Sequence, residues 1–265
     1  MIHPVEGQTS AEAWLKAAEL LWDTQDRIAY NVILDIADPV TVTAADFAVL
    51  DTVDTFLRRF PKAKPLTTVA GTIFPAGHYA RHGVEGVYER YPAAYSKMKK
   101  GWGRYAMRML RRKGKDGEEI NPLQILVEKM RGQLAGSRLR AIYEIGTMDE
   151  ELYDIPIYAP ASDASCQAIG QQPCLSHLSF KIMPDDRLML TAIYRYHYYV
   201  GKALGNLIGL GQLQQFVADQ VGLKVGPLVC HSTYAKLDTE GGWKVADLKA
   251  LITNCKAARP VADAA

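Results

Sequence analysis

The sequence predicts a protein of the α/β or α+β class, with one domain spanning residues 1–265. The chain has 265 residues, of which 48% are hydrophobic and 23% charged, so it is long enough to bury a large core. Residues 174–231 follow the order strand, turn, strand, helix and strand, while the N-terminal half shows amphipathic helices. Chains of this length also form two domains, so the single domain remains a prediction.

The N-terminal half is predicted to begin with a helix. Residues 11–30 place Trp14 and Leu21 on one apolar helical face, and Thr9 or Ser10 is the predicted cap. Both cap candidates carry a hydroxyl that can accept a hydrogen bond from a free backbone N–H of the first helical turn.

Strands and helices then alternate up to the middle of the chain. A strand is predicted over residues 31–37 and a helix over residues 43–59, with Thr43 as its cap. A further helix begins after Asn121, and residues 138–145 are predicted to form a strand.

The C-terminal half contains the residues with the clearest chemical potential. Cys174 opens an apolar strand, which a turn at residues 184–186 connects to a second strand ending in Arg195. A helix is predicted to open near Asn206 and a third strand to end around His231. A thiol, a guanidinium and an amide on neighbouring elements could converge on one small anionic ligand.

Charge and cysteine content narrow the class of protein. The net charge of +2 and pI near 8.2 give no global signal for a polyanion partner. Four cysteines (Cys166, Cys174, Cys230 and Cys255) lack Cys-x-x-Cys spacing, so neither a zinc site nor a disulfide framework is expected. We predict a cytoplasmic protein with reduced thiols, without a signal peptide and without an apolar run that could cross a membrane.

One local basic run spans residues 97–115. Arg104, Arg108 and Arg111 recur there at helical spacing around Tyr105. The favoured interpretation is a solvated helix face, and the alternative is binding of a phosphate or of a folate polyglutamate. A nucleic-acid-binding module is disfavoured because no base-stacking motif accompanies the charges.

Cys174 and Arg195 are the leading candidates for chemistry. A cysteine is often a small buried hydrophobic residue. A nearby guanidinium, however, favours the thiolate and so lowers the thiol pKa. Arg195 has an internal carboxylate or a bound phosphate as possible partners. Asn206 is either a helix cap or a paired donor and acceptor for a ligand.

The C-terminal half resembles the thymidylate synthase family. The matching residues are Pro173-Cys174, Arg195, Asn206 eleven residues later, and the helix, glycine turn and strand of residues 213–229. The resemblance implies that Cys174 is the nucleophile, that Arg195 contacts the substrate phosphate and that Asn206 reads the pyrimidine.

Weaker matches imply further substrate-binding residues. Ser137-Arg138 resembles the family's Ser-Arg-Arg, which reaches the partner's phosphate across a dimer interface; Arg140 is predicted to share a strand face with Arg138. Asp26-Arg27 resembles the family's N-terminal phosphate-binding loop. The remaining predicted pocket residues are His231, Tyr234, Lys236 and Tyr105.

Other positions depart from the family pattern. Tyr196 and Tyr198 stand where the family has serine and aspartate, and Ala70 stands at the position of its proton-relaying glutamate. His78, Glu85 and Glu89 are the nearest substitutes for that glutamate. The C-terminal tail that closes over folate has no counterpart.

The resemblance implies a mixed sheet flanked by helices, in a back-to-back homodimer. It also implies C5 methylation or hydroxymethylation of a pyrimidine nucleoside monophosphate through a cysteine adduct, with 5,10-methylenetetrahydrofolate as donor. The departures leave an alternative open. The chain could be a diverged member that binds a nucleotide-like ligand, or that uses its thiol without folate.

Overall fold

The computed structural model describes residues 2–96, 105–114, 116–147 and 174–259. The first elements are β1 (His3–Gly7), α1 (Ser10–Trp22), β2 (Ile28–Ile36), α2 (Ala44–Arg58), α3 (Leu66–Ile73), α4 (Ala76–Glu85) and α5 (Tyr91–Ser96). Then follow α6 (Tyr105–Leu110), β3 (Arg112–Lys113), β4 (Glu119–Ile120), α7 (Pro122–Ala135) and β5 (Tyr143–Gly146). The last are β6 (Leu175–Ile182), β7 (Arg187–Tyr194), β8 (His197–Tyr198), α8 (Leu204–Val221), β9 (Lys224–Lys236) and α9 (Val245–Ala258).

The larger sheet is mixed, as predicted. Its strands lie in the order β1-β2-β9-β7-β6-β5, and β8 continues beside β9. The pairs β1–β2, β7–β9 and β8–β9 are parallel, and the pairs β2–β9, β6–β7 and β5–β6 are antiparallel. Helices pack on the face that carries the buried side chains, and the other face is lined by half-exposed residues. None of the helices in the described ranges is long and apolar enough to span a membrane.

The helix starts follow the local chemistry that the sequence indicates. Thr9 caps α1 by accepting a hydrogen bond from Glu12 N. Thr43 and Asp46 form a capping box at α2. Asn121 caps α7 by accepting from Gln124 N. These three predicted starts are therefore confirmed.

Several predicted elements have different bounds in the structure. The helix predicted over residues 11–30 ends at Trp22, and the strand predicted over residues 31–37 already begins at Ile28. The strand predicted over residues 138–145 forms only at Tyr143–Gly146. Arg138 has a φ of 50°, in the left-handed region, so the chain turns there and Arg140 shares no strand face with it. The third predicted strand does not end at His231, because β9 continues to Lys236 beside β2 and β8.

A row of irregularities crosses the sheet near the end that carries Cys174: they lie at the same level in β2, β9 and β7–β8, and one step earlier in β6, beside Ile193. A separate register shift between β7 and β9 occurs at Leu188 and Leu190. Buried residues in a regular strand alternate with a period of two. Here two successive residues face away from the helices, which is the mark of a β-bulge. The flanking buried pairs are Ala29 and Val32 in β2, Ser232 and Ala235 in β9, Tyr194 and His197 in β7–β8, and Leu175 and Leu178 in β6.

Side-chain hydroxyls connect these bulges. Thr233 Oγ1 donates to the carbonyl oxygens of Tyr194, at 3.3 Å, and Arg195, at 3.1 Å. Ser176 Oγ donates to the carbonyl oxygen of Ile193 at 3.0 Å. A bulge interrupts the backbone ladder. Hydroxyl donors therefore satisfy carbonyls that the ladder leaves available.

Close packing of α3 on α8 fixes the helix that carries Asn206. A Cβ added at Gly209 would lie 2.7 Å from the carbonyl oxygen of Ala70, and one added at Gly205 would lie 2.6 Å from Val69 Cβ. Real Cβ atoms do not approach backbone atoms so closely. Glycine at these positions therefore lets the two helix backbones touch.

We expect Gly209→Ala to lower the free energy of unfolding by about 1–3 kcal/mol, because the added methyl group forces α3 away from α8. Denaturant titration would measure the change. Gly132→Ala in α7 is the matched control, since its Cβ meets nothing within 4 Å. That control should be neutral, or stabilising by up to about 1 kcal/mol. Equal effects of the two substitutions would contradict the packing account.

Candidate active site around Cys174

Cys174 lies immediately before β6, at the end of the sheet where the bulges occur. Its carbonyl oxygen accepts a hydrogen bond of 2.9 Å from Arg195 N, which ties it to the end of β7. Its own N–H donates to the phenol oxygen of Tyr105 at 3.1 Å. The backbone of Cys174 is thus held from two sides, and its thiol is half-buried. Pro173 and Arg104, which the sequence places next to these residues, lie outside the described ranges.

Tyr105 is the first residue of α6, and its hydroxyl is a fixed part of this site. The oxygen also accepts a longer hydrogen bond of 3.4 Å from Leu175 N. Burial raises the pKa of Tyr105 to about 12, so the phenol is neutral at physiological pH. Because the oxygen accepts hydrogen bonds from two N–H groups, the hydroxyl hydrogen is still available to donate a hydrogen bond. Tyr105, one of the predicted pocket residues, therefore lies beside Cys174, and its role in binding stays a prediction.

Opposing electrostatic effects act on the Cys174 thiol. Burial is the larger effect and raises the pKa of Cys174 above its ordinary value of 9.0. The positive charges of Arg195 and Lys202 favour the thiolate and partly offset that shift. At neutral pH the thiol is therefore mostly protonated, and the two cations hold it closer to ionisation than burial alone would.

Lys202 was not predicted from the sequence. It lies in a single turn of π-helix, Tyr199–Ala203, between β8 and α8. Burial lowers the pKa of Lys202. The negative charge of Asp238 raises this pKa, the positive charge of Lys64 lowers it further, and a thiolate at Cys174 raises it. These groups are therefore electrostatic neighbours of Lys202. No spacing in the sequence marks this lysine, because its neighbours come from distant segments.

Asp238 fixes the turn that carries Lys202. Its Oδ1 accepts hydrogen bonds from Val200 N, at 2.8 Å, and Gly201 N, at 3.2 Å. The side chain is buried, and burial raises the pKa of Asp238 to about 6. Asp238 Oδ1 therefore has a structural use. Sequence reasoning missed Asp238 as well, because it follows β9 in an irregular segment.

Asn206 is buried inside α8 and does not cap the helix. Its Nδ2 donates to His197 Nε2 at 3.1 Å, and His197 Nδ1 is 2.9 Å from Ser232 Oγ. The N-cap position of α8 belongs to Ala203, whose side chain makes no capping bond. Of the two interpretations that the sequence left open, the structure disfavours capping and leaves the amide for ligand recognition.

Arg27 and Lys236 lie at the same end of the sheet as Cys174. The carbonyl oxygen of Arg27 accepts from Leu237 N at 2.9 Å, and Ile28 pairs with Lys236. Arg27 has a φ of 57°, in a tight left-handed loop. Neighbouring strands are about 5 Å apart, so the backbone of Arg27 lies about 15 Å from that of Cys174 across β7 and β9. This distance matches an extended ligand better than a single phosphate.

Tyr234 belongs to an aromatic cluster on the half-exposed face. Its ring stacks on Tyr196 at 4.5 Å and meets Tyr30 edge-on at 5.5 Å. Tyr196 contacts Tyr198 at 4.7 Å. Of the two tyrosines that replace small polar residues of the family, Tyr196 therefore packs on Tyr234 and Tyr198 packs on Tyr196. Lys236 binds Glu240 at 2.8 Å.

Three predicted site residues lie away from Cys174 in the protomer. His231 faces the half-exposed side of the sheet, where its Nε2 is 3.1 Å from Asn31 Oδ1. Arg138 and Arg140 are exposed near the other end of β6, since Ile182 N donates to the carbonyl oxygen of Arg140. Eight residues of strand separate that end from Cys174, or about 26 Å.

The arginines of the basic run bind carbonyl groups within the protein. Arg108 is buried and donates to the carbonyl oxygen of Thr147 at 3.0 Å. Arg111 donates to the carbonyl oxygen of Tyr88 at 2.7 Å, and Arg112 to that of Gly146 at 2.8 Å. The expectation of a solvated helix face is therefore wrong for Arg108, and these contacts favour a structural role over a phosphate site.

Ala70, at the position of the family's glutamate, is buried in α3 and lines an apolar cavity of about 670 Å³ between α2, α3, α5 and α8. His78 also lines that cavity, whereas Cys174 does not. Glu85 pairs with Arg90 and Glu89 with Arg111, each at 3.0 Å. The predicted substitutes for the glutamate are therefore placed apart from the thiol.

We expect iodoacetamide to alkylate Cys174 slowly at pH 7 and faster above pH 9, because only the thiolate reacts. Since Lys202 favours the thiolate, Lys202→Gln should raise the pKa of Cys174 and move the labelling curve to higher pH. Mass spectrometry of the Cys174 peptide measures the curve. Lys181→Gln, on the half-exposed sheet face, is the control and should leave it unchanged. An unchanged or lowered midpoint in Lys202→Gln would contradict the assigned electrostatics.

Comparison with known proteins gives partial matches to one group of archaeal proteins. Over 110 residues the chain is 32% identical to a protein of Methanothermobacter thermautotrophicus, and over 122 residues it is 28% identical to one of Methanococcoides burtonii. The matched segments cover 38% and 46% of this chain, and 49% and 48% of those proteins. Both carry the name "Putative thymidylate synthase".

A third relative, from Methanosarcina barkeri, has the same name and is 36% identical over 69 residues, which cover 26% of this chain and 31% of that protein. No family model matches the chain. The chain spans about half the length, or less, of the curated relatives it matches. These partial matches, with the mixed sheet and its helices, support a similarity to thymidylate-synthase-like proteins, from which the chain has diverged.

Proposed function

We propose that the protein transfers a one-carbon unit to C5 of a pyrimidine nucleoside monophosphate through an adduct with Cys174. The observation that carries this proposal is the arrangement at the end of β6 and β7. The backbone of Cys174 is bound to Tyr105 and Arg195, and the positive charges of Arg195 and Lys202 favour its thiolate. Such a site favours a sulfur nucleophile beside an anionic ligand.

Each residue has a role in this proposal. Arg195 binds the phosphate, for which a guanidinium is well suited. The Cys174 thiolate adds to C6 of the base, and the electron pair of the C5–C6 bond moves towards C5 and the C4 carbonyl. The Tyr105 hydroxyl donates a hydrogen bond to the bound ligand without losing its proton, and Asn206 binds the edge of the base.

5,10-Methylenetetrahydrofolate is the donor that we propose, and when bound it would supply the one-carbon unit. Lys64 and Lys202 fit an anionic donor, because both are cations that share an electrostatic environment near the thiol. These lysines would bind its carboxylates. Residues of this chain would orient the donor and supply positive charge to its carboxylates.

The product is expected to be hydroxymethylated at least as readily as methylated. Ala70 carries no ionisable group and is buried among apolar side chains. Proton relay near C5 would therefore have to come from another residue. A less enclosed site would also admit water, and water can capture an exocyclic methylene group.

A second candidate function is ligand binding or thiol chemistry without folate. Two observations favour it. Burial keeps the Cys174 thiol mostly protonated at neutral pH, and Ala70 supplies no carboxylate. In this alternative the protein binds a nucleotide-like anion through Arg195 but makes no one-carbon product.

The test is a product assay with labelled 5,10-methylenetetrahydrofolate and each of dUMP, dCMP, UMP and CMP. We expect a product enlarged by a hydroxymethyl or methyl group, and a loss of at least about 10³-fold in Cys174→Ser, because a serine hydroxyl is not activated as the thiol is. Cys255→Ala, a buried cysteine in α9, is the matched control and should retain turnover. Undiminished turnover in Cys174→Ser would exclude the covalent mechanism, and binding without product would favour the second candidate.

We propose further that residues 1–265 fold as one domain and that two copies pair through the half-exposed face of the sheet. Ile33 and Ile193 flank His231 in one row across that face, and the tyrosine cluster adjoins it. A second copy would cover these apolar groups. Arg138, exposed about 26 Å from Cys174 along β6, could then serve the partner's site.

The shared site predicts complementation between two inactive variants. Cys174→Ser and Arg138→Ala should each be inactive, whereas their mixture should regain about a quarter of wild-type activity, since half the dimers are mixed and each mixed dimer has one intact site. Arg131→Ala, an exposed arginine bonded to Gln220, is the control and should stay active alone. Mixing without recovery, or a stable monomer in light scattering, would contradict the shared site.

A further inference from the structure

We propose that His197 fixes the orientation of the Asn206 amide and so makes the site select uracil over cytosine. The inference rests on the proposed function, because it assumes that Asn206 faces the base. It assigns His197 and Ser232 as positioning residues that determine specificity.

His197 is held rigidly on the buried face of the sheet. The bulge at residues 195–196 turns its side chain towards the helices, and the residue is 1% exposed. Its ring stacks flat on Tyr194, with centroids 4.0 Å apart and an interplanar angle of 1°. It also meets the Tyr199 ring at 5.4 Å. The imidazole therefore has little freedom to rotate.

The hydrogen bonds of His197 define its tautomer. Burial lowers the pKa of His197 to about 3, so the ring is neutral at physiological pH and has one N–H. Nε2 lies 3.1 Å from Asn206 Nδ2, which can only donate, so Nε2 accepts and the proton is on Nδ1. Nδ1 then donates to Ser232 Oγ at 2.9 Å.

Ser232 is itself placed to accept that bond. It is fully buried, and its Oγ lies 3.4 Å from the hydroxyl of Tyr199. A hydroxyl oxygen has two lone pairs besides its one proton, so Ser232 Oγ can accept from His197 Nδ1 while its own proton points elsewhere. A buried network of this kind favours one arrangement of donors and acceptors.

The network leaves Asn206 with a defined edge. One Nδ2 hydrogen is used by His197, so the other hydrogen and Oδ1 remain for a ligand; within the described part of the chain no other hydrogen bond holds this amide. Uracil offers an N3–H donor to Oδ1 and an O4 acceptor to the amide hydrogen. Cytosine offers the opposite pair and would require the amide to flip.

A flip of the amide conflicts with His197. It would place Oδ1 against the Nε2 lone pair, so two acceptors would face each other in a buried site. Relief would require the imidazole proton to move to Nε2 and the Ser232 hydroxyl to donate to Nδ1 instead of accepting from it. We expect uracil nucleotides to bind at least about tenfold more tightly than the matching cytosine nucleotides.

Calorimetric titration with UMP, dUMP, CMP and dCMP tests this inference. In the wild-type protein we expect the uracil preference, and in His197→Phe we expect both bases to bind with affinities within about twofold. Phenylalanine preserves the stack on Tyr194 but has no ring nitrogen. His82→Gln, an exposed histidine of α4, is the control and should keep the wild-type ratio. The ratio of the two affinities separates a specificity role of His197 from a purely structural one, because a loss of stability alone would weaken the binding of both bases equally.

A cytosine preference in the wild-type protein, or an unchanged ratio in His197→Phe, would overturn the inference while leaving the proposed function intact. Binding of no nucleotide would remove the proposed function and this inference together. Should His197→Phe fail to fold, nitrogen NMR of the wild-type protein reads the tautomer directly. The Nδ1–H form supports the inference, and the Nε2–H form contradicts it.

Discussion

The row of β-bulges is the constraint on which the candidate site depends. A one-residue shift exchanges the two faces of a strand. Because the shift occurs at the same level in β2, β9 and β7–β8, pairing continues through the row and these strands change face together, while β6 has its own bulge beside Ile193. His197 thereby faces Asn206 on the helix side, while Tyr196 joins Tyr234 on the other face. Without the bulge at β7, these two side chains would exchange places.

Burial and charge act against each other throughout the site. Burial raises the pKa of Cys174 and of Asp238 and lowers that of Lys202. Arg195 and Lys202 favour the thiolate, and Asp238 favours the charged form of Lys202. Binding of a charged ligand, or a change in the charge of one of these groups, would therefore change the pKa values of the others. The backbone contacts from Tyr105 and Asp238 keep the groups in place while their charges change.

Local chemistry made part of the fold predictable. The caps at Thr9, Thr43 and Asn121 lie within three residues of the N–H groups they bind, so sequence alone locates them. The bulges could not be found in this way, because each depends on pairing with neighbouring strands. His197, Lys202 and Asp238 were missed for the same reason; Asp238, for example, meets its partner Val200 38 residues away in sequence. The strand predicted around Arg138 was wrong because the left-handed turn there leaves no pattern in the side chains.

The central claim is that an anionic pyrimidine ligand binds beside Cys174. A crystal structure of the protein with dUMP tests it most directly. The phosphate is predicted to contact Arg195, C6 of the base to lie next to Cys174 Sγ, and the O4 and N3 edge to face Asn206. Nucleotide density in the apolar cavity between α2, α3, α5 and α8, with none at Arg195, would contradict the claim.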